Sequence, residues 1–307
     1  MPSFTVGVFL PEKNITDHPF DVDYYRQSYF ELAQEITALG GEMLIVRDAA
    51  TYLGQGRFTR AWRMLGPEKT EEVTEVKVDM IFDKGEFPLA PDIPIFNHPE
   101  INEVCTDKFI MYERFQKFCP LTIRAATSQE YVTALDAIRT DKAVIKPIAG
   151  QEGNGIMIAS PTELKNQSPS SFPVVVQEFL DTSAGVPGIV QDYHDLRVAL
   201  FDGEVIYSYL RTPPPGKLTA NVAQGGKFFM VEPRQLPVEL FPIIQEIDHT
   251  LAHVGHRFYG IDFGITPGGP KIIEMNARLG LLPNQDSPAF VVLKKKLAET
   301  FAKMSGH

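Results

Sequence analysis

The sequence predicts an α/β protein, and three observations support that prediction. Apolar strands alternate with an amphipathic helix through the first hundred residues. A strand, a glycine-rich loop and a second strand follow one another between residues 143 and 159. Two further strands, between residues 257 and 280, carry acidic and amide side chains. At 307 residues the chain is long enough for two or three domains.

The N-terminal hundred residues have the pattern of an alternating α/β unit. FTVGVFL predicts a strand, and DVDYYRQSYFELAQEITALG predicts an amphipathic helix that ends at Gly40-Gly41. EMLIVRD, VDMIFD and IPIFN predict further strands. Such alternation predicts a parallel sheet with helices on its faces. We place Arg57 and Arg60 in a loop, where they are either plain surface or a pair that holds a substrate carboxylate.

A glycine-rich loop follows the next predicted helix, which runs from about Asn102 to Phe118. In AVIKPIAGQEGNGIMIA an apolar run ends in Lys146-Pro147, and a second apolar run begins just after the glycines. No helix start follows Gly155, whereas a P-loop or a dinucleotide fingerprint needs a helix N-terminus there. The glycines allow the backbone to approach a polyphosphate, and Lys146 can supply positive charge to it. The alternative is an ordinary mobile β-turn.

The stretches that follow predict strands, connections and two helices. VVVQEFLDTS is a strand whose polar end can offer backbone groups to an adenine edge, and residues 160–173 form a connection. LRVALFDGEVIYSYLR predicts a hairpin that turns at Asp202-Gly203. RTPPPGKLTANVAQGGK is suited to act as a lid, with a disordered surface loop as the alternative. LPVELFPIIQEIDHTLAHVGHRF predicts a helix, and KKKLAETFAKMSGH predicts a solvated helix and tail.

The acidic strands lie in RFYGIDFGITPGGPKIIEMNARLG. The first strand delivers Asp262, and the second delivers Glu274 and Asn276 two positions apart. Because side chains alternate along a strand, Glu274 and Asn276 point the same way. Magnesium prefers such oxygen ligands and usually shares its shell with nucleotide phosphates. The alternative is a surface hairpin with solvated acids around the turn TPGGP.

The ordered set of motifs resembles the ATP-grasp superfamily, most of all its RimK-like and glutathione-synthetase-like carboxylate–amine ligases. The matching order, over roughly residues 100 to 280, is lysine strand, glycine hairpin, QEFL hinge, HDLR, N-x-x-x-G-G, D and E-x-N. The resemblance implies an α+β ATP-grasp fold in which a parallel α/β pre-grasp domain occupies residues 1–100. A central subdomain at 101–180 and a C-terminal subdomain at 181–307 would grip ATP between them.

The resemblance also implies roles for the matched residues. Lys108, from a helix, and Lys146 would reach the phosphates, and Asp195 would lie near the ribose. The remaining nucleotide-binding residues would be Gly150, Gln151, Glu152, Gly153, Asn154 and Gly155 in the loop, and Gln177, Glu178, Phe179 and Leu180 in the hinge. The magnesium ligands would be Asp262, Glu274 and Asn276, with Glu274 bridging two ions and Mn²⁺ as an alternative metal. The groups around the transferred phosphate would be Arg197, Arg211, Asn221 and Arg278.

Two departures from the RimK-like pattern leave the substrates open. The RimK-like group usually has an arginine two positions before the asparagine of N-x-x-x-G-G, where this chain has Thr219. The E-x-N motif continues with Ala277-Arg278, which is nearer to carboxylase-type members. Each candidate also has a plain structural alternative: a surface ion pair for an arginine, a turn for Asn221, a cap for Asp195 and a solvated helix position for Lys108.

The activity implied by the resemblance is ATP-dependent amide formation through an acyl phosphate, with an amino acid or short peptide among the substrates. Such chemistry needs no protein nucleophile, and the chain has no G-x-S-x-G elbow and no recognisable catalytic cysteine signature. The alternatives are a non-catalytic ATP-binding regulatory module, and an ATP-grasp kinase or carboxyphosphate-forming enzyme, for which Arg278 is the supporting residue. The sequence names neither the acid nor the amine.

Composition predicts a cytoplasmic protein. The apolar fraction is 44% and the charged fraction 22%, and no apolar stretch approaches the length that crosses a membrane. The N-terminus lacks the pattern of a secretory signal, and two cysteines fit a reducing compartment. A net charge of −10 disfavours nucleic acid and acidic membranes as partners. The sequence leaves both a monomer and a homo-oligomer open.

Overall fold

Contacts between residues divide the chain into two units, which we number 1 and 2. The structure is a computed structural model, and it describes residues 2–88, 92–150, 155–218, 220 and 225–307. Unit 1 contains the residues up to Pro99, Val254–Phe258 and Arg278–His307, and unit 2 contains Glu100–His253 and Tyr259–Ala277. The division into three segments along the sequence stays a prediction.

Sixteen strands and seven α-helices make up the described part of the chain. The strands are β1 Thr5–Leu10, β2 Glu42–Arg47, β3 Tyr52–Gly54, β4 Arg57–Gly66, β5 Lys69–Lys77, β6 Met80–Asp83, β7 Ile95–Phe96, β8 Thr122–Ala125, β9 Ala143–Pro147, β10 Met157–Ala159, β11 Val174–Glu178, β12 Asp195–Phe201, β13 Glu204–Thr212, β14 Lys227–Val231, β15 Phe258–Thr266 and β16 Gly269–Asn276. The helices are α1 Asp23–Ala38, α2 Pro99–Thr106, α3 Lys108–Phe115, α4 Ser128–Ala137, α5 Pro161–Lys165, α6 Leu240–Leu251 and α7 Pro288–Met304.

Unit 1 contains a sheet with a parallel centre, as the alternating pattern predicts. β2, β1, β6 and β7 lie side by side in parallel. The sheet continues beyond β2 with the antiparallel strands β3, β4 and β5, which the sequence analysis did not predict. Arg57 and Arg60 lie on β4, so placing them in a loop was wrong. The polar strand KTEEVTEVK gave no apolar pattern because most of it is exposed.

Helix α7 is part of the core of unit 1, which corrects the prediction of a solvated helix. Its buried side chains include Leu293, Leu297 and Phe301, at the four-residue spacing of one helix face. The Phe301 ring lies 5.1 Å from that of Phe82 and 5.3 Å from that of Phe96. The run of three lysines suggested a solvated helix, although Lys294 is itself buried.

Unit 2 holds two antiparallel sheets. The first has the order β10-β9-β11-β8, and α4 packs against it through Tyr131 and Leu135. The second has the order β14-β13-β12-β15-β16 and includes the predicted hairpin at Asp202-Gly203. Instead of one helix from Asn102 to Phe118, the chain forms α2 and α3. The break occurs because the Asp107 side chain caps α3 and accepts from Phe109 N at 2.8 Å.

The remaining predicted elements differ only in extent. The predicted connection at 160–173 contains the short helix α5, which begins with a capping box at Ser160. The predicted helix that begins at Leu236 begins instead at Leu240. Among the described residues, none of the helices combines the length and the apolar character needed to cross a membrane.

Candidate functional site

Charged side chains gather on one face of the five-stranded sheet of unit 2. Asp195 and Arg197 on β12 lie opposite Arg211 and Tyr209 on β13. Asp262 on β15 lies opposite Glu274 on β16. Residues directly opposite one another in an antiparallel pair share a face. The register therefore brings acids and guanidinium groups together, although they are far apart in sequence.

Asp262 is the centre of this cluster. Its carboxylate is fully buried and accepts hydrogen bonds from Nε and a terminal nitrogen of Arg197. A terminal nitrogen of Arg211 donates to the same carboxylate at 2.6 Å. Burial opposes ionisation, but the two guanidinium groups outweigh it and hold the pKa of Asp262 well below its usual range. The Asp262 carboxylate is therefore a fixed negative charge.

Asp195 has the opposite character. Arg211 donates to its Oδ2 at 2.5 Å, yet burial and the neighbouring charge of Asp262 raise the pKa of Asp195 to about 7. Its Oδ1 is buried and has no hydrogen-bond partner among the described residues, and the same is true of Nε of Arg211. The structure therefore places Asp195 against Arg211, and its predicted place near the ribose stays a prediction.

The oxygen atoms of this face suit a magnesium ion. Asp262 and Glu274 are direct cross-strand neighbours, so their carboxylates would repel each other, and a bound cation would relieve that repulsion. Each carboxylate oxygen has more than one lone pair, so Asp262 can keep its arginine bonds and still contact a metal. Among the described residues, no three His, Cys, Asp or Glu side chains form a metal cluster. A site here therefore needs the amide of Asn276 as well.

Two lysines lie beside the acids. Lys146 on β9 is buried, and its Nζ donates to Gln177 Oε1 at 2.8 Å and lies 3.5 Å from Ile273 O. Lys108, the first residue of α3, donates to Gly150 O at 3.1 Å. Burial lowers the pKa of both lysines, while the charge of Glu274 acts on both to raise it. Both predicted phosphate lysines thus lie within the electrostatic influence of Glu274.

The glycine-rich loop is described only at its ends. Gly155 has a φ of +74°, which favours glycine, and a Cβ there would lie 3.0 Å from Pro147 Cγ. Gln151, Glu152, Gly153 and Asn154, and likewise Asn221 of the predicted lid, lie outside the described residues. Their predicted roles stay predictions.

The predicted hinge follows β11. The Gln177 side chain is occupied, because it accepts from Lys146 and donates to Thr122 Oγ1 at 2.8 Å. Leu180 lies against β15, where a Cβ on Gly264 would be 3.4 Å from Leu180 Cδ1. The Phe179 ring lies 5.8 Å from Lys142 Nζ, and the Glu178 carboxylate accepts from Arg139 N at 3.2 Å. Any contact with a nucleotide base would therefore come from residues 178–180 rather than from the Gln177 amide.

Arg278 differs from the other predicted residues because it belongs to unit 1. There it forms an ion pair with Glu86. Within unit 2 the structure brings together the predicted residues Lys108, Lys146, Asp195, Arg197, Arg211, Asp262 and Glu274.

Sequence reasoning missed two residues that shape the site. The hydroxyl of Tyr209 accepts from Arg197 at 3.1 Å, and both guanidinium groups lie over its ring, at 5.7 Å for Arg197 and 5.8 Å for Arg211. His194 joins β12 to β15, since its Nε2 accepts from Ile265 N at 3.1 Å. Tyr209 could have been found, because it stands two positions before Arg211 and a strand places both side chains on one face.

Comparisons with known proteins identify the family of this chain. The family model described as the ATP-grasp domain of prokaryotic glutathione synthetase matches residues 107–277. A probable alpha-L-glutamate ligase of Shewanella halifaxensis is 28% identical over 156 residues, which is 48% of this chain and 30% of that protein. A glutathione synthetase of Synechococcus elongatus is 28% identical over 193 residues, which is 59% of this chain and 53% of that protein. The chain thus spans about a third to a half of these relatives.

Solved structures extend the likeness of fold to nearly the whole chain. A D-alanine–D-alanine ligase from Bacillus anthracis in complex with ATP gives a TM-score of 0.62 at 13% identity, covering 99% of this chain and 97% of that one. A RimK domain ATP-grasp protein from Sphaerobacter thermophilus gives 0.61 at 13% identity, covering 96% and 98%. These likenesses confirm the predicted fold class.

Proposed function

The chain belongs to the family of the prokaryotic glutathione synthetase ATP-grasp domain, and from this premise we propose that it is an ATP-dependent carboxylate–amine ligase. The proposed reaction activates a carboxylate as an acyl phosphate and joins it to an amine, with release of ADP and phosphate. The proposed substrates are small molecules of the amino acid or short peptide class. The likeness in sequence to a glutamate ligase and a glutathione synthetase supports this class of chemistry.

One observation carries the proposal: two lysines and two arginines converge on Asp262 and Glu274. Lys108 and Lys146 both lie near Glu274, and Arg197 lies 3.6 Å from the same carboxylate. Phosphoryl transfer is catalysed mainly by positioning and by stabilising the charge on the phosphoryl oxygens. A group of positively charged side chains beside oxygen ligands, with Lys146 and Arg197 buried, is the arrangement that this chemistry needs.

We assign the residues to two tasks. Lys108 and Lys146 hold the nucleotide phosphates, and Arg197 and Arg211 stabilise the phosphoryl group and then the acyl phosphate. Asp262, Glu274 and Asn276 would hold magnesium, as two ions bridged by Glu274, with Mn²⁺ as an alternative. The metal would supply further neutralisation of the phosphate charge. The bonds of Asp262 with Arg197 and Arg211 keep the guanidinium groups oriented before the substrate arrives.

The proposed reaction has two steps. A carboxylate oxygen of the acid forms a bond to the terminal phosphorus of ATP, and the bond from that phosphorus to ADP breaks. The amine nitrogen then forms a bond to the carbonyl carbon, the bond from this carbon to the phosphate oxygen breaks, and the amine loses a proton. The terminal phosphoryl group is transferred in the first step and leaves as phosphate in the second, so guanidinium groups beside it act in both.

The experiment that tests the proposal measures ADP release from ATP in the presence of magnesium and pooled amino acids and dipeptides, with mass spectrometry of the pools. New amide masses that appear with ADP support it. Glu274→Gln keeps the size of the side chain but removes its charge, and we expect it to lower the rate about 100-fold or more. Glu72→Gln, on the exposed strand β5, is the matched control. An active Glu274→Gln protein would contradict the assignment.

We also propose that the protein works in the cytoplasm. Cys105 and Cys119 are free thiols, and Cys119 is buried. Free thiols are typical of a reducing compartment.

A further inference from the structure

An apolar strip lies next to the arginines on the same face of the five-stranded sheet. We define the apolar strip as Tyr209, Phe228 and Met230. Phe228 on β14 lies opposite Arg211, and Met230 lies opposite Tyr209, so all of them share a face. Phe228 is 44% exposed and Met230 is 37% exposed, whereas Val231, which points to the other face, is buried. Among the described residues, nothing fully covers these two large apolar side chains at the edge of the charged cluster.

The strip is continuous with the arginine pair. The Phe228 ring lies 4.7 Å from the Tyr209 ring at an angle of 58°. The Tyr209 hydroxyl accepts from Arg197, and the Arg211 guanidinium lies over the same ring. Tyr209 therefore connects the two guanidinium groups to the exposed ring of Phe228. A substituent of a molecule bound at the arginines can therefore contact the apolar strip.

The strip lies on the side of the arginines away from the lysines. Lys146 lies 3.5 Å from Ile273 O on β16, and the sheet order places β16 and β14 at opposite edges. Neighbouring strands are about 4.8 Å apart, so the two edges are separated by about 19 Å. The lysine edge is where the nucleotide phosphates are proposed to lie. The edge formed by β14, next to the arginines, is therefore available to the acid substrate.

We propose that the acid substrate carries a large aliphatic or aromatic side chain, which packs on the apolar strip while its carboxylate lies at Arg197 and Arg211. This assignment rests on the proposed ligase function, and it adds the substrate class. Arg211 and Phe228 are direct cross-strand neighbours, and both contact the Tyr209 ring, at 5.8 Å for the guanidinium and 4.7 Å for the Phe228 ring. A leucine or phenylalanine side chain attached to a carboxylate at Arg211 therefore has the strip beside it. The exposed area of Phe228 and Met230 gives such a side chain an apolar surface to cover.

The test compares acids that differ only in the side chain. Glycine, alanine, leucine and phenylalanine, and the dipeptides of glycine with each of them at the C-terminus, are offered with ATP, magnesium and hydroxylamine as the common amine. Hydroxylamine converts the acyl phosphate to a hydroxamate, so one assay reports every acid. We expect kcat/KM to be about 10- to 100-fold higher for leucine or phenylalanine than for glycine. Phe228→Ser and Met230→Ser should each reduce that preference.

Phe241→Ser is the matched control, because Phe241 on α6 is 43% exposed and lies outside the site. It should keep the wild-type preference, and thermal unfolding of all three variants identifies any that fails to fold. Equal kcat/KM for small and large acids, or a preference unchanged in both strip variants, overturns this assignment and leaves the ligase proposal intact. No ADP release or hydroxamate with any acid overturns the proposed function, and this assignment with it.

Discussion

Lys146 shows how one residue serves both structure and the proposed chemistry. Its buried Nζ donates to the Gln177 amide, which in turn donates to Thr122. Burial lowers the pKa of this lysine, and the charge of Glu274 opposes the effect. The ammonium group is therefore held in place before a phosphate arrives, with Gln177 as its orienting partner. Such preorganisation reduces the cost of binding.

Lys146→Met should weaken ATP binding and leave adenosine binding almost unchanged. A hydrogen bond to a charged group contributes about 1.5–3 kcal/mol, which corresponds to a loss of affinity of about 10- to 100-fold. Titration calorimetry with ATP and with adenosine measures the two affinities. Lys165→Met, on the surface helix α5, is the control. An equal loss for adenosine would show that the substitution disturbs the fold around Gln177 rather than a phosphate contact.

The residues that the structure brings together in unit 2 could be selected from the sequence, because their spacing in a motif and on a strand is local information. Glu274 and Asn276 are two positions apart, and a strand places both on one face. The partners of these residues were not predictable. Arg211 on β13 reaches Asp262 on β15 because the folded sheet places a single strand, β12, between these two strands. That strand order is a property of the fold, and no sequence pattern around Arg211 or Asp262 indicates it.

At the scale of elements, the start of β12 is attached to β15 by one histidine. His194 Nε2 accepts from Ile265 N, so Nδ1 carries the proton and donates to Asp192 O at 3.1 Å. The backbone of His194 also exchanges hydrogen bonds with the Thr182 hydroxyl, at 3.0 Å and 3.2 Å. These bonds fix the position where β12 begins, directly before Asp195 and Arg197. The histidine thereby supports the arginine cluster without contacting it.

The contribution of His194 to the stability of unit 2 should fall in mild acid, while Asp195, whose pKa is raised, acts in the opposite direction. Burial lowers the pKa of His194 below its ordinary value of 6.5. The unfolded chain therefore binds more protons than the folded chain between the two pKa values. The contribution of neutral His194 is fully present above pH 6.5 and is lost as the pH falls through the lower, folded pKa. Protonation of Nε2 also breaks its bond with Ile265.

Urea unfolding between pH 8 and pH 5 measures this effect. We expect His194→Asn to be less stable than the wild type at pH 8, and we expect the difference between the two proteins to shrink on acidification. His249→Asn, at an exposed position on α6, should keep the wild-type pH profile. If the difference in stability between His194→Asn and the wild type is the same at pH 8 and pH 5, the histidine does not titrate on unfolding and the attachment of β12 has another source.

Elements were predictable where periodicity was strong and the end signal was local. β1, α1 and β2 have long apolar patterns, and the structure places them close to the predicted positions. The helix predicted over Asn102 to Phe118 divides at Asp107, because an aspartate side chain that caps the next turn competes with helix continuation. β5 carries charges on most positions and has no apolar alternation that would predict a strand. It is a strand because it pairs with β4.

At the scale of the whole molecule, unit 1 is assembled from three separate stretches of the chain. Asn97 donates to Phe258 O at 2.8 Å and accepts from Phe258 N at 2.7 Å, which connects the first stretch to the second. α7, in the third stretch, packs against α1, and Lys294 forms an ion pair with Glu31 at 3.2 Å. A division of the sequence into consecutive segments cannot find such a unit. Periodicity indicates which face of a helix is buried, but it does not indicate which other element that face packs against.

Phe301→Ala tests whether α7 belongs to the core of unit 1. Phe301 is completely buried against Phe82 and Phe96, so truncation removes ring contacts and leaves a cavity. We expect a loss of about 3–5 kcal/mol in the free energy of unfolding of unit 1. Hydrogen exchange of peptides from α1, β6 and α7 measures that loss within unit 1. A single melting temperature for the whole chain does not separate the two units. Val292→Ala is the control, because Val292 lies on the same helix and is 46% exposed. Equal, small effects of both substitutions would mean that α7 is solvated, as its lysine run first suggested, and that unit 1 is complete without it.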